Sequence, residues 1–221
     1  MTMRPLRRSS GALRAAAVAG VVAMLAGCGG GLLTSNATPP ETYRLGAQPA
    51  AAAAPSAATR ASPLGLAVAR PRSAAALDSD RIAVVASGNR FDYYAGVRWA
   101  EPAPQMLQEN LVAALARSGL FAGVFAAPAR VPAELTLDVE LRRFEADTTA
   151  GKAPVVHVAL QASLVDARRA LRVASFTSEA AVAAGSDRRA AIIAAFDRAN
   201  AQVVDDVVAR VAAAAATVPA N

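Results

Sequence analysis

The chain of 221 residues holds one cysteine, Cys28, one histidine, His157, and one lysine, Lys152. Each scarcity removes a class of chemistry. A lone cysteine cannot close an intramolecular disulfide, so burial must hold the fold. A zinc site takes three or four nitrogen, sulfur or oxygen ligands, and one histidine with one cysteine does not supply the usual sets. No metal and no cofactor is therefore expected. The chain also lacks a G-x-S-x-G elbow, a Walker A loop and a dinucleotide fingerprint. Gly29-Gly30-Gly31 follows no strand and reads as a spacer, not a phosphate cradle. Aromatics make up 5% of the residues, and only Phe91 to Trp99 gathers them.

What is present begins at the N-terminus. Arg4, Arg7, Arg8 and Arg14 precede the apolar run Ala15 to Ala26, and Met24-Leu25-Ala26-Gly27-Cys28 follows as a lipobox. A charged start, a short apolar run and small residues before the cut mark a secretory signal peptide. The run falls short of the roughly 20 apolar residues that span a bilayer. Residues 1–27 are thus expected to be removed, and Cys28 to carry diacylglycerol on its thiol and a third chain on its amino group. Each buried methylene contributes about 0.8 kcal/mol, and two or more chains make anchoring stable. Gly29 occupies the position where an aspartate favours retention in the inner membrane, so the outer membrane is expected, with the domain on its periplasmic face.

The charge balance changes with the cut. Of 23 basic residues, four leave with the signal, so 19 face 17 acidic ones and the net charge falls from +6 to +2. The case for nucleic acid, which requires a basic face, goes with them.

Residues 28–62 read as the lipidated N-terminus, a glycine tether and an Ala/Pro-rich insertion, with a short first strand at 41–45. Residues 46–62 carry hardly any large apolar side chain and are expected to stay mobile, because such a segment cannot offset its ordering entropy. The globular domain is expected over 63–215, with a tail at 216–221. Leu64 to Val68 and Ile82 to Val85 suit strands, and Phe91 to Trp99 is expected to be extended. Pro102 and Pro104 open a helix, Leu107, Leu111, Ala114 and Leu115 form its apolar stripe, and Gly119 closes it. Leu135 to Leu141, Val156 to Leu164 and Ala170 to Phe176 form an expected antiparallel meander. A last helix starts near Ser186-Asp187, with Ile192, Phe196, Ala199, Val203 and Val207 on its buried face. The fold class is α+β: a single domain with a mixed, largely antiparallel sheet and two main helices packed on it.

No catalytic constellation emerges. His157 sits on a strand face without a partner for general-base work or ligation. Asp138/Glu140 and Asp205-Asp206 are carboxylate pairs of the sort a hydrolase uses, but read as solvated faces of a strand and a helix. Arg168-Arg169 and Arg188-Arg189 read as a turn and a helix start, with lipid phosphate contact as the rival reading. Tyr93, Tyr94 and Trp99 are the candidate partner-binding residues, since Tyr and Trp are favoured at interfaces. On a regular strand Tyr93 and Trp99 share one face and Tyr94 points to the other. Trp99 is expected to be buried and Tyr94 exposed.

Several segments then align with one family. Tyr43-Arg44-Leu45, Asp80-Arg81-Ile82, Arg98-Trp99-Ala100-Glu101-Pro102, Ser118-Gly119-Leu120-Phe121, Leu141 to Glu145, Leu164-Val165-Asp166 and Ala194 to Ala199 occur in order behind the lipobox. Together, from about Tyr43 to Val211, they resemble the ABC-type transport auxiliary lipoproteins, the PqiC-like family. The Ala/Pro stretch after Leu45 is longer than that pattern. The resemblance implies a non-enzymatic component of a lipid transport system, working with an MCE-domain protein and an ABC transporter or permease. It would dock the conduit at the outer membrane, with a homo-oligomeric ring among the implied arrangements. The rival readings are a generic envelope assembly or scaffolding lipoprotein and, from another class, a periplasmic hydrolase.

Overall fold

The computed structural model describes residues 39–46, 62–128, 131–149, 151 and 153–218. The signal peptide, Cys28, the glycine tether and nearly all of the Ala/Pro-rich insertion lie outside the described residues. No described helix is long and apolar enough to cross a membrane.

A long strand, β7 (Leu135–Asp147), organises the sheet. Leu135, Leu137, Val139 and Leu141 are buried, while Asp138, Glu140 and Arg142 are exposed, as a period of two demands. β8 (Val155–Asp166) pairs antiparallel along one edge of β7, and β9 (Leu171–Ala183) pairs antiparallel with β8. This is the expected meander. β9 continues past Phe176 to Ala183: Ala180 and Val182 point inward, and the buried Ser178 hydroxyl donates to the Val203 carbonyl at 3.3 Å.

Three strands share the other edge of β7, all parallel to it. β2 (Ser62–Val68) takes Leu135–Leu137, β3 (Arg72–Ser73) takes Glu140–Leu141, and β4 (Arg81–Ala86) takes Glu145–Asp147. β5 (Arg90–Trp99) pairs antiparallel with β4, and β1 (Glu41–Tyr43) lies parallel to β5. β6 (Phe121–Ala126) lies parallel to β2. The long ladders are antiparallel and the short ones parallel. β3 and β6 were not legible as strands, being respectively two residues long and broken by Gly123.

Two helices cover one face. α1 (Ala103–Arg117) starts after Pro102, carries Pro104 in its first turn, and ends at Gly119, whose φ of +64° a side chain would resist. Its buried Gln108 donates to the carbonyls of Val68 at 2.9 Å and Ala127 at 3.1 Å, tying the helix to the ends of β2 and β6. α2 (Arg189–Ala215) lies over β8 and β9 and buries Ile192, Phe196, Ala199, Val203, Val207 and Val211. The expected start at Ser186-Asp187 is corrected: the N-cap is Arg188, and no side chain caps the helix. An N-cap hydrogen bond contributes about 1 kcal/mol. This helix instead draws its stability from burial, Ile192 and Ile193 among its buried residues, each contributing about 1.5–3 kcal/mol. The result is an α+β domain, as the patterning implied.

Candidate functional site

The aromatic segment is β5, and one glycine decides where its rings go. Gly96 sits at φ +71°, in the left-handed region, and the β4–β5 register shifts between Arg81/Arg98 and Ala83/Tyr93. A bulge of this kind flips side-chain alternation. Tyr93 and Trp99 therefore do not share a face, contrary to expectation; Tyr94 and Trp99 do.

On the helix-covered face, Trp99 is 1% exposed and meets Phe196 of α2 at 5.1 Å between ring centroids, edge to face. Phe144 of β7 completes the cluster, 5.8 Å from Trp99 and 5.1 Å from Phe196. Trp99 is buried, as expected. Tyr94 is not the exposed residue: it is half-buried beside Tyr43, Ile82, Val97, Ile192 and Ile193, with Arg189 at the rim of this shallow apolar dimple. Desolvation, aided by the Asp187 carboxylate, pushes the Tyr94 phenol above its usual range. Glu41 accepts from the Tyr43 hydroxyl at 2.7 Å and lies 3.5 Å from the Arg189 guanidinium, so β1 closes one side of the dimple.

On the opposite face, Phe91 and Tyr93 stack edge to face at 5.5 Å. The Tyr93 hydroxyl donates to the Ala76 carbonyl at 3.0 Å, and the Arg81 guanidinium lies 3.8 Å above the Tyr93 ring. Phe91 is 40% exposed, high for a phenylalanine. Exposed Phe91 and Arg81, braced by half-buried Tyr93 between them, thus form an aromatic platform at the β4–β5 hairpin. Sequence reasoning named Tyr93 but missed Phe91 and Arg81, because their meeting depends on the cross-strand register.

The titratable groups are structural in setting. On the platform side of β7, Glu145 is buried and accepts from Arg143 Nε at 2.5 Å and from the Phe144 amide at 2.8 Å. His157 stands across from Glu145 in the ladder, with Nε2 4.0 Å from Asp147. Hydrogen bonds from the Thr149 hydroxyl and amide hold the Asp147 carboxyl below its usual range, with His157 and Arg143 adding to the shift. Asp138 and Glu140 are exposed on the same face. Asp206 pairs with Arg210 at 2.8 Å, and Asp205 is exposed. Asp166 accepts from the Arg168 and Arg169 amides at 3.0 and 3.1 Å, fixing the β8–β9 turn. None of these carboxylates lines the Tyr94 dimple. Among the described residues, no group of three or more His, Cys, Asp or Glu side chains could hold a metal ion.

The family model described as "ABC-type transport auxiliary lipoprotein component" matches residues 43–208, most of the chain. The chain belongs to this family. A structure of a Xanthomonas campestris protein of the DUF330 family is 30% identical, covers 80% of this chain and 96% of its own, and superposes with a TM-score of 0.68. Two more distant structures share the fold alone. An uncharacterized protein, at 14% identity, covers 79% of this chain and 99% of its own with a TM-score of 0.60. A hypothetical protein from Chlamydia trachomatis, at 10% identity, covers 70% and 98% with a TM-score of 0.50. No functionally curated protein matches the chain. As an ABC-type transport auxiliary lipoprotein, the chain has an accessory role in the envelope, and its domain is built from burial and ladder pairing.

Proposed function

We propose that this auxiliary lipoprotein is held in the outer membrane by acyl chains on Cys28. Its domain faces the periplasm and acts, without catalysis, as the dock for the conduit of an MCE-domain protein whose lipid transport an ABC transporter or permease drives. The match over residues 43–208 behind a lipobox carries the reading. The docking surface is the platform of Phe91, Tyr93 and Arg81, whose aromatic rings and stacked arginine are the residue types that dominate interface energetics. Tyr94 lies behind it and supports α2, and Trp99 anchors β5 in the core, so these two position the platform from beneath.

The test has two arms. Sucrose-gradient fractionation should place the protein with outer-membrane porins, and co-migration with inner-membrane markers would overturn the location. Pull-down of the co-encoded MCE-domain protein should weaken at least tenfold, a loss of about 1.4 kcal/mol or more, for the double variant Phe91→Ala/Arg81→Ala, whose two side chains are exposed, at unchanged melting temperature. Undiminished capture by that variant would overturn the platform as the dock.

A further inference from the structure

β9 (Leu171–Ala183) hydrogen-bonds to β8 on one side, and among the described residues no strand pairs with its other edge. That edge is 13 residues long, whereas the free edges of β1 and β6 are 3 and 6 residues. Long exposed edges are templates for pairing, and proteins usually guard them with lysine, proline or brevity. β9 has neither lysine nor proline. Its one irregularity, a bulge at Val173, sits beside the hairpin end.

The two charges of β9 are informative. Arg172 stands opposite Val165 of β8 and Glu179 opposite Ala159, so both point to the face away from the helices. Both are exposed, and neither has an ion-pair or hydrogen-bond partner among the described residues. A parallel pairing of two β9 strands would set Arg172 against Arg172. An antiparallel pairing brings each Arg172 opposite Glu179 of the other strand.

We infer that β9 pairs antiparallel with β9 of a second copy of this chain, about a two-fold axis normal to the sheet. With the bulged Val173 passed over, the register that joins Arg172 to Glu179 of the second copy is centred on the position opposite Ala162, which is Phe176. Every other pair in that register falls on a matching face. Phe176 meets Phe176 of the second copy on the helix side, where each ring is half-buried and lies 5.6 Å from the Arg210 guanidinium. Ser175 meets Thr177 of the second copy on the outer face. Leu171, 60% exposed here, meets Ala180 of the second copy and loses that exposure. An aromatic cross-strand pair and two opposite-charge pairs are the kinds of contact that stabilise a ladder. The pairing is isologous and closed, so a ring of copies would assemble from such dimers through other surfaces. It is independent of the docking platform, since β4, β7 and β8 separate β5 from β9.

The test uses the full, membrane-anchored chain. Phe176→Cys should give a disulfide-linked dimer in oxidised membranes on non-reducing electrophoresis, with the wild type as control. Sedimentation of the detergent-extracted protein should show Glu179→Arg weakening self-association about tenfold, because both cross-strand pairs become repulsive. Arg172→Glu/Glu179→Arg should return it to within about twofold of wild type. A monomeric wild type, or self-association that Glu179→Arg leaves unchanged, would overturn the pairing. So would a Phe176→Cys cross-link to a protein of different mass, which would make another chain the occupant of this edge.

Discussion

Truncating Phe196 to alanine empties the centre of the ring cluster beneath α2. The side chain is fully buried, with Trp99 and Phe144 both 5.1 Å away between centroids. Lost burial plus the cavity left behind costs about 3–5 kcal/mol for a phenylalanine in such a site. The two ring contacts fall within that figure, at about 0.5–1.5 kcal/mol each. For a domain of this size each kcal/mol moves the melting temperature by about 2–4 °C, so the fall is roughly 6–20 °C. Circular dichroism melting of the purified lipoprotein in detergent measures it. Trp99 is the only tryptophan, so its fluorescence reports the same site: emission should shift to the red as water reaches a ring now 1% exposed. Phe196→Leu keeps most of the volume and should lose less. A fall below about 2 °C together with lost transport would refute the core assignment and make the α2 stripe a partner-facing surface.

Two further outcomes test the anchor and the seat of α2. Cys28→Ala should accumulate as full-length precursor that takes up no labelled palmitate; normal processing and labelling would remove the anchor assignment. Burial raises the Asp197 carboxyl above the usual 3.8, against the opposing hydrogen bond from the Gly46 amide. A raised folded value means the protonated form is favoured: its contribution is full below about pH 3.8 and fades as pH climbs through the raised value. Relative to wild type, Asp197→Asn should therefore gain stability between acidic and neutral pH in urea titrations. A loss over that range would mean the Gly46 bond outweighs desolvation.

How much of this was readable beforehand depended on where the pattern was regular. β7 and β8 carry aliphatics at most inward positions, and α1 and α2 carry apolar side chains at helical spacing, so those four elements were legible. The burial of Trp99 was legible too, through the resemblance of its Arg98-Trp99-Ala100-Glu101-Pro102 segment to the family pattern. The faces of β5 were not, because a glycine in the left-handed region looks in sequence like any other glycine, yet it exchanged Tyr93 for Tyr94. The platform partner Arg81 lies on another strand, and only the β4–β5 register brings it over Tyr93. The far half of β9 escaped because small residues under a helix leave no hydrophobic alternation to read. The start of α2 falls past the Ser186-Asp187 cap signal, because neither of those side chains caps the helix.

The crowding of three short parallel strands on one edge of β7 has a consequence for how the chain comes into being. β2, β3 and β4 end by Ala86, and their shared partner begins only at Leu135. A chain made from its N-terminus presents those strands well before the strand that completes them exists. Until Leu135–Asp147 emerges, β2 and β4 expose apolar side chains and open backbone on that side, the condition in which nascent chains aggregate. The β7–β8–β9 meander, by contrast, joins neighbours in sequence. Productive assembly thus waits on the C-terminal half, and holding the early segments apart falls to whatever escorts the chain until then.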